Sequence, residues 1–212
     1  MATDDYRPDT RRLAALSDGV FAIAITILVL SIDLPSGSDA GPVTVEMVAR
    51  EWRDAVSYVL SFLVVGNFWT EHRHVFDHAT HHTRDVEWLN ILFLMAIAFL
   101  PFPTSLLGDY GGLVPVVFYA AVMTTTGLLL YALWWVVARN EAFFEEELAP
   151  ERVRYDRLRF LLYPSVFGVS IPVALFVSLD LVYVCWGSLF VLTPLLQRRL
   201  LADGGETLPG GR

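Results

Sequence analysis

Six stretches free of Asp, Glu, Lys and Arg divide this chain: Gly19–Ile32, Ala55–Thr70, Trp88–Gly108, Tyr110–Ala138, Phe160–Leu179 and Leu181–Gln197. An α-helix that crosses a bilayer needs about 20 mainly apolar residues. The middle four windows mostly meet that length directly. The first and last reach it if Leu13–Ser17 and the residues near Arg198 continue them. Strands of a membrane β-barrel alternate over about 10 residues, so runs this long and uniformly apolar exclude that class. Composition agrees, with 55% apolar residues, only 18% charged and a mean hydropathy of +0.50. Soluble domains carry about 25% charged residues. The expectation is an all-α membrane protein, one domain over 1–212, with six transmembrane helices at about 13–34, 50–71, 86–107, 113–138, 158–178 and 181–199.

The charges orient these helices. All 15 basic residues other than His are Arg, and 13 of them fall before helix 1, between helices 2 and 3, between helices 4 and 5, or after helix 6. Only Arg50 and Arg53 lie on the other side, with Asp33, Asp39, Glu46 and Asp180. The positive-inside rule therefore puts both termini in the cytoplasm, and an even helix count agrees in placing them on one side. The Thr10-Arg11-Arg12 start resembles a twin-arginine export signal, but Asp18 interrupts it and no cleavage is expected. A net charge of −8 and a pI near 5.0 argue against nucleic-acid partners, whose binders are usually basic. The lone Cys185 excludes an intrachain disulfide.

Nothing in the windows supports catalysis. There is no Ser/His/Asp set, no pair of carboxylates and no glycine-rich phosphate loop, so an enzyme is not expected and no cofactor is implied. Asp109-Tyr110-Gly111-Gly112 reads as a turn, and Thr124-Thr125-Thr126 as helix-packing hydroxyls facing several directions. The acidic stretch Glu141 to Glu147 reads as a solvated extension of helix 4. All five His lie between His72 and His82. If helix 2 ran on past the membrane, His74, His78, His81 and His82 would share one face, an arrangement able to hold a metal. No Cys accompanies them, and the stretch lacks a His-Glu-x-x-His pattern. A transporter or metal-handling protein using His72–His82 is the alternative function. Of the prolines inside the spans, Pro101, Pro164, Pro172 and Pro194 stand where each removes a ladder hydrogen bond.

Helix 1 has the most informative face. With Ile23 at zero and about 100° per residue, Leu16, Gly19, Ile27 and Leu30 lie within about 40° of it and Thr26 at about −60°. Arg12 lies under the same stripe at the cytoplasmic end. Periodicity alone fits ordinary packing or lipid contact equally well. Asp18 points away, at about 220°, and an acid within a spanning helix is expected to be buried and hydrogen-bonded.

Arg12-x-x-x-Leu16-Ser17-Asp18, continuing through Ala22-Ile23-Ala24-Ile25-Thr26-Ile27-Leu28-Val29-Leu30, resembles the first helix of the transmembrane protein 175 family. Asn67-Phe68-Trp69-x-x-His72, then Trp88-Leu89-Asn90 leading to Leu100-Pro101-Phe102-Pro103-Thr104, resemble its second and third helices. Leu16 stands where the family has Phe, and Ile27 where it has Leu. The resemblance implies a homotetramer in a bacterial inner membrane, with helix 1 of each subunit lining a central pore. Ile23, Ile27 and Leu30 would form apolar constricting rings, with Thr26 hydroxyls between them. Arg12, Ser17 and Asp18 would form a structural cluster with Trp69, His72 and Asn90. The implied activity is a potassium-permeable, moderately selective cation leak, with potassium and other monovalent cations as the permeant species and no resident metal.

Overall fold

The computed structural model of the protein describes residues 9–32, 45, 52–76, 81–139 and 150–203. Asp9 accepts the Arg11 backbone N–H at 2.9 Å and so caps α1, Thr10–Ile27. The chain then tightens into a 3₁₀ turn, η1, over Leu28–Ser31. Helix α2 spans Trp52–Phe76, α3 Arg84–Phe99, α4 Pro101–Asp109, α5 Leu113–Ala138, α6 Pro150–Phe176 and α7 Leu179–Asp203. There is no strand among the described residues beyond one isolated bridge, Asp9 to His81. Among the described residues four segments are long and apolar enough to cross a membrane: Thr10–Ser31, Arg84–Asp109, Leu113–Ala138 and Val153–Phe176. The protein is thus an all-helical, multi-pass membrane protein.

Several bounds differ from those expected, each for a local reason. α1 ends its regular turns at Ile27 rather than reaching 34. The third rod breaks at Leu100, because Pro101 has no N–H to continue the ladder; Leu100 N–H turns back to Ile97 O at 3.1 Å, and Pro101 opens α4 instead. Pro164 and Pro172 stay inside a continuous α6. α2 runs on to Phe76, and α6 begins at Pro150. The turn into α5 uses Gly111 and Gly112 at φ 58° and 80°, where an L side chain is strained. Ser178 caps α7 by accepting the Asp180 N–H at 3.2 Å. Glu141 to Glu147 lie outside the described residues.

Side-chain ties sort into two ends, so successive rods alternate in direction. At one end Glu71 of α2 pairs with Arg159 of α6 at 2.8 Å, and His74 meets Asp156 at 3.3 Å. At the other, Asp54 lies against Gly108 and Arg53 against Gly111. Between them runs a core of Phe21, Leu28, Phe68, Phe93, Ile97, Tyr119, Phe167 and Trp186. The most extensive helix pair is α5 with α6. There a Cβ on Gly127 would lie 2.9 Å from Pro164 Cδ, which explains how the proline is accommodated: its ring fills the place of a side chain. The Thr124, Thr125 and Thr126 hydroxyls all donate to carbonyls one turn back, so α5 satisfies them internally.

Candidate functional site

Helix α1 has one packed side and one bare side. Leu13, Ser17, Phe21 and Ala24, continued by Leu28, recur at spacings of four, four, three and four and are buried against α2, α3 and α4. The remaining arc faces outward from the chain. On it Ile23 is 60% exposed, Ile27 42% and Leu30 72%, and Leu16 lies on the same side. Thr26 is exposed among them, while Ile25 packs partly against the core. In the 3₁₀ turn residues three apart eclipse, which brings Leu30 over Ile27 rather than leading it as an α-helical wheel has it.

The Thr26 hydroxyl is within 3.0 Å of the Ala22 carbonyl and 2.8 Å of the Ile23 carbonyl, and donates back into its own helix. With its proton so used, the oxygen offers only lone pairs outward. The bare stripe therefore carries three branched apolar side chains and one acceptor.

A relay of buried side chains holds the opposite side. Ser17 donates to the Leu13 carbonyl at 2.9 Å and accepts from Asn90 Nδ2 at 3.0 Å. Asn90 Oδ1 lies 2.7 Å from His72 Nε2. An amide oxygen only accepts, so His72 carries its proton on Nε2. Three rings enclose that imidazole: Phe93 stacked at 5.4 Å with an interplanar angle of 7°, Phe76 at 4.8 Å and Phe21 at 5.7 Å. One polar chain thus joins α1, α3 and α2 through Ser17, Asn90 and His72.

Asp18 and Arg12 sit differently from the cluster expected. Trp69 Nε1 donates to Asp18 Oδ1 at 2.8 Å, but Asp18 is exposed on the subunit and not part of the buried relay. Arg12 is exposed, and no hydrogen bond ties it to Ser17 or Asp18 among the described residues. The phenylalanines around His72 were not singled out from the sequence, although the spacing of Phe21 after Ser17 marks it as facing inward.

The histidines do not form a single face. α2 is described as far as Phe76, while His81 pairs with Asp9 through the backbone and His82 is buried just before α3, neither of them in a helix. His78 lies outside the described residues. Among the described residues no group of three or more His, Cys, Asp or Glu could hold a metal.

Comparison with known proteins agrees with this arrangement. The family described as Endosomal/lysosomal potassium channel TMEM175 matches residues 12–101, which carry the bare stripe and all three relay residues. A potassium channel of Streptomyces collinus is 36% identical over 79% of this chain and 86% of its own length. One from Chamaesiphon minutus is 29% identical over 87% of this chain and 91% of its own length. The crystal structure of a lysosomal potassium-selective channel TMEM175 homolog from Chamaesiphon minutus superposes with a TM-score of 0.73 at 28% identity, covering 90% of this chain and 97% of that one. With a shared fold, and with identity of this extent over most of its length, this chain belongs to the TMEM175 family.

Proposed function

We propose that the protein is a potassium-permeable, moderately potassium-selective cation leak channel of a bacterial inner membrane. In this reading all six rods span, both termini are cytoplasmic, and four copies surround a pore lined by α1. The observation that carries it is the bare stripe of Ile23, Thr26, Ile27 and Leu30, opposite a face held by the buried Ser17–Asn90–His72 relay. A helix fixed on one side and left unpartnered on the other is suited to line an axis shared between copies. The names of the relatives support the choice of ion.

Rings of Ile23, Ile27 and Leu30 would form a dewetting constriction, and an ion passing it sheds part of its hydration. Potassium gives up water more readily than sodium, so the barrier favours it. Thr26 oxygens, with protons turned inward, would replace part of the lost water for a cation and offer nothing to an anion. Selectivity from such a site is moderate, because it lacks a full cage of carbonyl oxygens.

Purified protein in liposomes with an outward potassium gradient tests this. Potassium flux well above the sodium flux is expected. Flux no greater than in empty liposomes would remove the channel reading. The metal-handling alternative predicts stoichiometric metal on the purified protein, for which the separated histidines offer no support.

A further inference from the structure

Leu30, the outermost residue of the bare stripe, belongs to η1 rather than to α1 proper. This turn packs against α4 and α2 as well as α1. Leu28 is fully buried there and Ser31 nearly so. The placement of Leu30 therefore depends on α4, a nine-residue helix cut loose from α3 by the break at Leu100 and Pro101.

A second polar chain, separate from the His72 relay, anchors α4. Thr104 Oγ1 lies 2.8 Å from Ser61 Oγ and 2.8 Å from the Leu100 carbonyl, and Ser61 Oγ lies 3.0 Å from Tyr119 OH. Ser61, Thr104 and Tyr119 are all completely buried. A hydroxyl has one proton to give. If Thr104 donates to Leu100, Ser61 donates to Thr104, and Tyr119 donates to Ser61, every group is served. The chain then ends on the carbonyl at the helix break itself. Three hydroxyls from α2, α4 and α5 thus meet in an apolar interior, where among the described residues the Leu100 carbonyl is their one further partner.

We propose that Ser61, Thr104 and Tyr119 are positioning residues for ion discrimination. They clamp α4, and α4 fixes the turn that carries Leu30, so the chain sets the width of the outermost apolar ring without touching an ion. This rests on the channel reading above. Loss of the clamp lets η1 shift, the ring widens, ions keep more water, and potassium loses its advantage over sodium.

The test compares wild type, Thr104→Val, Thr104→Ser and Tyr119→Phe in liposomes, measuring tetramer recovery and the potassium-to-sodium permeability ratio from reversal potentials. Thr104→Val removes the hydroxyl at nearly constant volume. It is expected to lower the ratio about fivefold, the equilibrium weight of one buried hydrogen bond, at unchanged tetramer recovery. Thr104→Ser should restore it, and Tyr119→Phe, which takes one oxygen from the end of the chain, should lower it less. A purely structural role would reduce recovery and leave the ratio of the surviving channels unchanged; that result overturns the proposal. If Thr104→Val does not assemble, Tyr119→Phe carries the same readout, and failure of both to assemble also overturns it. Wild type without flux removes the channel reading and this assignment together, whereas wild-type flux with unaltered ratios in the variants removes this assignment alone.

Discussion

Asn90 is completely buried and His72 nearly so, and among the described residues the bond between them is the only one that His72 makes within its cage of three phenyl rings. Asn90→Leu keeps the volume but removes both amide bonds. Interhelical hydrogen bonds in membranes average about 0.6 kcal/mol, which is the expected loss at Ser17, whose hydroxyl still has the Leu13 carbonyl. At His72 the larger effect applies, because a buried donor left without a partner costs about 1–3 kcal/mol. The single substitution should therefore destabilise by about 2–4 kcal/mol. Adding His72→Phe removes the stranded donor and keeps a flat ring to stack on Phe93. The double variant Asn90→Leu/His72→Phe is thus expected to be more stable than Asn90→Leu alone, a reversal of sign that additive contacts cannot produce. Thermal unfolding of the purified protein in detergent, followed by tryptophan fluorescence, measures both. A double variant less stable than the Asn90 variant would refute the idea that an unsatisfied imidazole dominates the loss.

Three further outcomes are expected. Ile23→Asn should raise conductance and narrow the difference between potassium and sodium, while Ile25→Asn, on the partly packed side, should do neither; equal effects in paired conductance measurements would remove Ile23 from the constriction. Gly127→Ala should destabilise the protein by about 1–3 kcal/mol, since its new methyl meets the rigid Pro164 ring at 2.9 Å; an unchanged unfolding midpoint would mean that α5 and α6 separate without penalty. Burial holds the His82 imidazole below its ordinary pKa of 6.5, so the folded state resists the proton that the unfolded chain accepts. Stability should be full above about pH 6.5 and fall as the pH drops below it; His82→Gln should flatten that decline in unfolding midpoints measured across the range.

The helical class and the family were legible in the residues alone. Both follow from local properties: the length of uncharged runs, and the Leu16-Ser17-Asp18 motif that opens the Ile23–Leu30 stripe. Periodicity also separated that stripe from Ile25, because side-chain direction on a regular helix depends only on spacing. Periodicity put Leu30 on the exposed side, where it is 72% exposed, but nothing local announces that the chain tightens to 3₁₀ after Ile27. It also could not separate Ser17 from Asp18, adjacent polar residues of which one is locked inside and the other exposed beside Trp69. Partners in a hydrogen bond such as Ser17–Asn90 or Ser61–Tyr119 are separated by 73 and 58 residues, so only the packing of whole helices chooses them. The same holds for the histidines, which a continuous helix would align, whereas His81 and His82 lie outside any helix. Propensity and hydropathy act over a few turns of chain, whereas the clamp on α4 and the relay on α1 exist only where three helices converge.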